Sequence, residues 1–201
     1  MGRIFPWRQL LALFAVFFTV TCLWAQAQQD RLASEVIRLH VLANSDSRED
    51  QALKLDVRDR VLDAARPLLA GQHNAAQASA VLANNLSLLT EQARDEVLRQ
   101  GYFYSVTVTL EDTWFPTRYY DAAALPAGTY QALRVVIGAG EGHNWWCVVF
   151  PSLCLPAVGE TSLQAAGLSE ENAALMTAES PGYVFRFKTV EWWETLKHRL
   201  S

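Results

Sequence analysis

Cys147 lies seven positions before Cys154. If the fold places a histidine beside it, Cys147 is the residue of the chain best suited to covalent chemistry. A nucleophilic cysteine needs an accessible thiolate and a nearby base, which His143 or His40 would have to supply. Cys147 stands among large apolar residues in a stretch that predicts a strand, so we expect its sulfur to be buried. Three interpretations remain: a disulfide, two buried free thiols, or a nucleophile.

Ser45, His40 and Asp46 supply the side-chain types of a serine-hydrolase triad. Ser45 and Asp46 are also the residue types expected in a turn that begins a helix. The chain contains no Gly-x-Ser-x-Gly nucleophile elbow. We therefore prefer the helix-start interpretation to the triad.

The glycine run Gly138-x-Gly140-x-Gly142 resembles a phosphate-binding loop in composition. Such loops place bare amides and a helix N-terminus against the anion. Here the loop contains no lysine and leads into Trp-Trp-Cys-Val-Val-Phe, which is typical of a strand. We interpret the run as a hairpin loop whose glycines adopt positive φ.

The chain offers little that would hold a metal or a cofactor. Three cysteines are too few for a four-cysteine zinc site, and the four histidines share no ligand spacing. These histidines are His40, His73, His143 and His198. We expect neither a metal site nor a cofactor.

Aromatic side chains are concentrated in two places outside the clear helical patterns. One is the segment from Trp114 to Tyr120, and the other is Trp145-Trp146. Large aromatic residues in loops serve partner recognition. Core packing beneath a long connection explains them equally well, so both interpretations stay open.

The first 27 residues are organised like a secretory signal. Arg3 and Arg8 are the charged residues of this segment, the stretch from Leu10 to Trp24 is apolar, and Ala25-Gln26-Ala27 is a site of the A-x-A type. The apolar stretch is shorter than the roughly 20 residues of a membrane-spanning helix. We expect cleavage after Ala27, with an uncleaved membrane anchor as the alternative, and membrane contact only through this segment.

Composition and charge exclude further classes of function. Of the 201 residues, 51% are hydrophobic and 19% are charged, which is too apolar for a disordered chain. Loss of the signal would leave 15 basic and 21 acidic side chains, and a mildly acidic domain without a basic stripe is a poor binder of nucleic acid. Export to an oxidising compartment favours the disulfide between Cys147 and Cys154 over the other two interpretations.

Hydrophobic periodicity predicts a single α/β domain of the α+β type. The first strand should place Ile37, Leu39 and Val41 on its core face. The predicted strands cover residues 36–42, 102–110, 130–137, 145–150 and 183–188, and the predicted helices cover 48–70, 74–100 and 190–200. The resulting fold is a mostly antiparallel sheet with two helices inserted after the first strand, a long connection over 111–128, and a C-terminal strand plus helix.

Local signals mark the ends of the two long helices. Ser47 followed by Asp50 resembles a capping box, with Asp in place of the usual Glu. Pro67 is expected to bend the first helix or end it early. Gly101 suits the left-handed C-cap of the second helix.

Six strings of residues stand in one order along the chain. They are Ile37-Arg38-Leu39-His40-Val41-Leu42-Ala43-Asn44-Ser45-Asp46-Ser47, Asp50-Gln51-Ala52-Leu53-Lys54-Leu55, Val57-Arg58-Asp59, Phe115-Pro116-Thr117-Arg118, Leu125-Pro126-Ala127-Gly128-x-Tyr130-x-Ala132-Leu133-Arg134-Val135, and Asn144-Trp145-Trp146-Cys147-Val148-Val149-Phe150-Pro151. Together they closely resemble the stage II sporulation protein R family of endospore-forming bacteria. The resemblance covers about residues 36–156, and the signal segment and the Val190-Glu191-Trp192-Trp193 tail are compatible with it.

The resemblance implies a role and not a reaction. Members of that family are made in the forespore and exported into the intermembrane space. There they trigger a membrane-embedded aspartic protease of the mother cell, which cuts the precursor of an early mother-cell sigma factor. The family has no established catalytic residues to transfer, so we expect a ligand that acts by binding. The alternatives are an exported Cys- or Ser-dependent hydrolase of peptide or cell wall, or a binding domain for another envelope protein.

The expected organisation has four parts. They are a signal peptide or anchor over 1–27, a flexible lead-in or helical turn over 28–35, the family-like domain over 36–156, and a C-terminal extension over 157–201 that packs on the domain. The residues expected to contact the extracytoplasmic side of the protease lie in predicted turns and loops. They are Asn44, Ser45, Asp46, Trp114, His143 and Asn144.

Overall fold

The computed structural model of the chain describes residues 7–120 and 123–151. Within these residues, four helices and six strands follow one another. They are α1 (Trp7–Glu35), β1 (Ile37–Leu42), α2 (Arg48–Leu69), α3 (Ala75–Asn84), α4 (Leu86–Arg99), β2 (Val106–Phe115), β3 (Arg118–Tyr120), β4 (Ala123–Leu125), β5 (Gly128–Ile137) and β6 (Asn144–Phe150). The predicted strand over 183–188, the terminal helix and the extension over 157–201 lie outside the described residues.

Four of the strands form one mixed sheet in the order β2-β5-β1-β6. The β1–β5 pair is parallel, and the β2–β5 and β1–β6 pairs are antiparallel. Between β1 and β5 the chain passes through three helices and the strands β2, β3 and β4, which gives the long connection that a parallel pair requires. The predicted class, a single domain of α+β type with a mostly antiparallel sheet, is confirmed.

One face of the sheet packs against α2, α3 and α4. The three residues predicted to share this face, Ile37, Leu39 and Val41, are fully buried there, which confirms the alternation in β1. Each helix contributes an apolar stripe at three- and four-residue spacing. The stripes are Leu53, Val57, Val61, Ala65 and Leu69 of α2, Ala75, Ala78 and Leu82 of α3, and Leu89, Ala93 and Val97 of α4.

The opposite face of the sheet buries Arg38 against aromatic rings. Its guanidinium carbon lies 4.0 Å from the ring centroid of Phe115 and 5.1 Å from that of Tyr130. Attraction to the two rings offsets part of the cost of burying the charge. Leu32 and Val36, from the end of α1 and the residue before β1, belong to the same buried cluster.

Helix α1 has different surroundings along its length. The large apolar side chains of its first half are exposed, and Gln9–Glu35 is long and apolar enough to cross a membrane by length and composition. The last two turns, residues 28–35, bury Gln29 and Leu32. Residues 28–35, expected to form a lead-in or a helical turn, are therefore regular helix. They close the second core, which is the buried cluster around Arg38 and Phe115. The apolar half of α1 is compatible with a signal sequence.

Helix α2 begins where the sequence predicts. Ser47 Oγ accepts a hydrogen bond from the Asp50 backbone N at 3.1 Å, which is one half of a capping box. The other half is replaced, because the Ser47 backbone N donates to Ser45 Oγ at 3.2 Å. The Asp50 carboxylate is thereby left for contacts beyond the helix. Pro67 lies in the last turn, and α2 ends at Leu69.

The single helix predicted over residues 74–100 is wrong, because the structure has two helices there. Asn85 separates α3 from α4 and has φ −119° and ψ 16°. Its Nδ2 donates to the Val81 carbonyl at 2.8 Å, and its backbone N donates to the Leu82 carbonyl at 3.0 Å. These bonds satisfy the end of α3 locally, whereas the apolar periodicity runs through the break and concealed it.

The long connection predicted over residues 111–128 is also wrong, since most of it is strand. β2 starts at Val106, later than predicted, and pairs with β5 until Phe115 meets Gly128. A short β3–β4 hairpin lies between them. Glu111 and Asp112 obscured the strand because carboxylates are depleted in strands, but here both are exposed on an edge strand.

Replacement of Leu32 by Ala tests whether the end of α1 is part of the fold. Leu32 is 2% exposed, so its truncation should lower the free energy of unfolding by about 2–4 kcal/mol. The measurement is urea unfolding of the full chain in detergent, followed by tryptophan fluorescence. Leu88→Ala, on the exposed side of α4, is the matched control and should change stability by less than about 0.5 kcal/mol. Equal stability of the two variants would show that α1 is not docked.

Candidate functional site

Three segments meet at one edge of the sheet, which we call the loop edge. The strand register brings them together, because the last residue of β1 pairs with both β5 and β6, and β2 begins opposite the last residue of β5. The loop edge comprises residues 43–47 after β1, residues 102–105 before β2, and residues 138–144, which follow β5 and end at the first residue of β6.

The buried carboxylate of Asp50 joins two of these segments. It is 4% exposed and accepts hydrogen bonds from Asn44 Nδ2 at 2.9 Å, from Ser45 Oγ at 2.6 Å and from the Tyr104 hydroxyl. Burial raises the pKa of Asp50, but the donors around it together outweigh burial and hold the pKa below its ordinary value. The group is therefore a charged acceptor that fixes the β1–α2 turn to the start of β2.

The glycine loop is tied to the same turn through its backbone. Asn44 Oδ1 accepts from the Ala139 N at 3.0 Å, and the Ala43 carbonyl accepts from the Gly142 N at 3.0 Å. Gly138 and Gly140 have φ of +59° and +66°, which confirms the predicted positive φ at these two positions. The hairpin interpretation is wrong, because β1 lies between β5 and β6 and the loop crosses over its end.

Asp46 and His143 face each other on the exposed surface of the loop edge. Asp46 Oδ1 accepts from the His143 backbone N at 2.6 Å and also contacts His143 Nδ1. These two contacts hold the pKa of Asp46 below its usual value. The arrangement fixes the orientation of the imidazole while leaving the side chains of both residues more than half exposed.

Lys54 supports the glycine loop through a hydrogen bond from its buried side chain. Its Nζ donates to the His143 carbonyl at 2.8 Å and to Gln51 Oε1 at 2.5 Å. Burial lowers the pKa of Lys54, and the nearby charge of Asp46 opposes that shift. The cation is thus turned inward, where it supports the loop and contributes little positive charge to the surface.

His40 connects the loop edge to the second core. Its Nε2 lies 3.0 Å from Asn144 Oδ1, and its ring contacts Phe115 and Trp146 with centroids 5.8 and 5.9 Å away. Burial is the main cause that lowers its pKa, so the imidazole is neutral near pH 7 and donates from Nε2. His40 therefore acts as a structural link and not as an exposed base.

The structure brings five of the six predicted contact residues together and leaves one apart. Trp114 pairs with Thr129 at the far end of β5, eight positions along β2 from the loop edge, which is roughly 25 Å. Trp114 therefore lies outside the cluster that the other five residues form, and its contact with a partner stays a prediction. The five residues at the loop edge are Asn44, Ser45, Asp46, His143 and Asn144.

The side chains proposed for a serine triad do not form one. Ser45 Oγ donates to Asp50, His40 contacts Asn144, and Asp46 contacts His143. Each member has a different partner, so no proton path links serine to histidine and on to aspartate. This geometry favours the helix-start interpretation of Ser45 and Asp46.

Cys147 lies on the helix-facing side of β6 and is 4% exposed. Its sulfur is engaged in a disulfide, so no titrating thiol is present at this position. Cys154 lies outside the described residues, and its pairing with Cys147 stays a prediction.

The aromatic residues of the two segments serve both interpretations that the sequence left open. Phe115 is fully buried, whereas Trp145 is 37% exposed and its ring stacks against Arg58, whose guanidinium carbon is 4.4 Å from the centroid. Two contributors to the site were not anticipated, Tyr104 and Lys54. The alternation of residues 102–110 and the Lys54 position on α2 predicted their faces, but not that their polar ends would reach this edge.

Comparison with known proteins decides the relationship. Residues 33–160 match the family described as Stage II sporulation protein R. The chain belongs to this family. It is 36% identical over 123 residues to Stage II sporulation protein R of Bacillus subtilis (strain 168), a match that covers 61% of this chain and 55% of that protein. The chain thus matches about half the length of this curated relative, and no solved structure matches it significantly.

Family membership confirms the resemblance carried by the six strings and assigns the chain a role in sporulation. The matched range begins at residue 33, in the docked end of α1, and extends beyond β6. It therefore includes the whole loop edge. The family is named for sporulation and not for an enzymatic activity.

Replacement of Asp50 by Asn tests the central acceptor. An amide offers one acceptor oxygen and turns an NH₂ group toward the donors of Ser45 and Asn44, so the variant should lose about 2–3 kcal/mol of unfolding free energy. Urea unfolding measures the loss. Asp63→Asn, an exposed position on α2 with a surface ion pair to Arg66, is the control and should lose less than about 1 kcal/mol. Similar losses in both variants would contradict the role of Asp50.

The lowered pKa of Asp50 predicts that the free energy of unfolding depends on pH. Because the pKa of Asp50 is depressed in the folded state, its contribution is complete above the unfolded value of about 3.9 and is lost as pH falls through the folded value. The difference in unfolding free energy between the wild type and Asp50→Asn should therefore be constant above about pH 5 and shrink below about pH 4. A difference that stays unchanged down to pH 3 would show that Asp50 is not stabilised as an anion.

Proposed function

We propose that this chain is an exported sporulation signalling protein that activates a membrane-embedded aspartic protease by binding to it. The activated protease then cuts the precursor of an early mother-cell sigma factor. The observation that carries the proposal is the family match over residues 33–160. The protein acts after export from the forespore, on the extracytoplasmic side of the protease, and has no catalytic step of its own.

The geometry of the loop edge supports binding over catalysis. The buried polar groups there, Asp50 and Lys54, are engaged with neighbouring residues and hold the loops in place. The exposed polar groups, Asp46 and His143, are fixed to each other. Loops fixed before contact lose little conformational entropy when a partner binds.

Activation by binding has a thermodynamic requirement. A ligand shifts a conformational equilibrium only by the difference between its affinities for the two states. The loop edge would therefore contact the active, self-associated form of the protease more favourably than the inactive form. A tenfold preference corresponds to about 1.4 kcal/mol, which a few contacts around Asp46 and His143 would supply.

The apolar half of α1 supports the proposed export into the intermembrane space. Its exposed large side chains and its span of Gln9–Glu35 are compatible with a signal sequence. Cleavage after Ala27 would release the domain into the intermembrane space. Retention of residues 1–27 would hold the domain at the membrane into which this segment is inserted.

Co-expression of the chain with the protease and its sigma-factor precursor tests the proposal. Wild-type protein should cause cleavage of the precursor, visible as a shift to the mature size on an immunoblot. Combined Asp46→Ala and His143→Ala should weaken activation about tenfold, since both exposed contacts are lost. Removal of residues 1–27 should abolish activation by keeping the protein in the cytosol.

Two controls separate binding from the rival hydrolase. His73→Ala, an exposed residue before α3, should leave processing unchanged. Purified protein alone should not cleave the precursor, a peptide or cell-wall glycan. Turnover by the purified protein, or normal processing without residues 1–27, would contradict the proposed function.

A further inference from the structure

The side chain of Phe103 is 90% exposed, more than that of any other large hydrophobic residue in the described part of the chain. Outside α1, the next values are 44% for Leu98 and 41% for Leu88, both on α4. A single exposed apolar residue is ordinary on a protein surface. Phe103 differs because it lies in the loop edge, beside the residues that the proposed function uses.

The backbone on both sides of Phe103 is held in place. Before it, Gly101 adopts φ +84° and the Tyr102 N donates to the Val97 carbonyl at 3.0 Å, which is a Schellman-type end to α4. After it, the Ser105 carbonyl accepts from the Gly138 N at 2.8 Å. The segment therefore presents Phe103 from a fixed backbone.

The flanking tyrosines explain why Phe103 points outward. Tyr102 and Tyr104 stack on each other with ring centroids 5.5 Å apart, and Tyr104 also donates to the Asp50 carboxylate. Because alternate residues of an extended segment point to opposite sides, inward placement of these two rings turns Phe103 toward solvent. The exposure of Phe103 is thus a consequence of the same carboxylate that organises the loop edge.

The strand order places aromatic side chains at both ends of the loop edge. Phe103 precedes β2 at one end of the sheet, and Trp145 follows the start of β6 at the other. Three strand spacings separate these strands, which is roughly 14 Å. Asp46 and His143 lie toward the β6 end, so the edge combines an apolar anchor with a polar centre.

The exposed charge of this edge is mainly acidic. Asp46 and Glu141 are exposed there, and no Lys or Arg lies in its three segments. Lys54 is buried. Contact with a second copy of this chain, or with an anionic lipid surface, would bring like charges together. Charge complementarity therefore favours a different protein with a basic rim.

We infer that Phe103 is the apolar anchor of the loop edge and inserts into a hydrophobic pocket, bordered by basic side chains, on the extracytoplasmic surface of the partner. The inference rests on the proposed function and adds to it the residue that contributes most to binding. Aromatic anchors seated in desolvated pockets dominate the energetics of interfaces, and surrounding polar contacts supply complementarity. The Asp46–His143 pair and Trp145 form that surrounding region.

Phe103→Ala and Phe103→Leu, in the full chain, are the informative variants. In the co-expression assay and in titration against the detergent-solubilised protease, Phe103→Ala should weaken binding at least tenfold. Phe103→Leu should retain most of it, since the pocket requires apolar volume. Both variants should unfold at the same urea concentration as the wild type, because the side chain is exposed. Leu98→Ala, also exposed and close in sequence, is the control and should behave as wild type.

The outcomes distinguish failure of the Phe103 anchor from failure of the proposed function. Wild-type processing with unchanged activity of Phe103→Ala would overturn the anchor and leave the proposed function standing. Absence of processing with the wild type would overturn both. Binding to the protease should weaken from 50 to 500 mM salt, and binding that strengthens would contradict the basic rim. Loss of self-association or of vesicle binding in Phe103→Ala, with protease binding intact, would assign the residue to a different contact and overturn the inference.

Discussion

The burial of one carboxylate, that of Asp50, is the constraint on which the loop edge depends. A charge with 4% exposure is tolerated only where donors surround it. The donors come from the turn after β1 and from the segment before β2, through Ser45, Asn44 and Tyr104. Asn44 in turn accepts from the glycine loop. Segments far apart in sequence are therefore positioned by a single acceptor, and loosening it would release all three loops.

This arrangement reconciles rigidity with accessibility at the proposed contact surface. The groups that hold the loops point inward, whereas Asp46, His143 and Phe103 point toward solvent from a backbone that is already fixed. A partner would meet a preformed surface and bear little ordering cost. Such a surface suits the proposed function, in which the protein would discriminate between two states of its partner by modest differences in contact energy.

The sequence predicted well what depends on simple periodicity and poorly what depends on individual side-chain bonds or on distant partners. The faces of β1, the start of α2 at Ser47 and the positive φ of Gly138 follow from nearest-neighbour patterns. The break at Asn85 and the length of β2 do not, because a side-chain bond and an edge position override the pattern. For the site, the turn and the glycine loop were both identified. Their junction through Asp50, and the separation of Trp114 from them, required the register of the sheet.

Helix α1 has two roles within one continuous segment. Its apolar half is suited to enter a membrane, and its last two turns close the core around Arg38 and Phe115. In the proposed export, engagement of the apolar half by the export machinery would hold the adjacent turns away from the sheet. The domain would then complete its second core only once translocation has finished, so that the chain itself would order transport before maturation. A molecule built this way would stay unfinished in the compartment that makes it and become competent in the compartment where it is read.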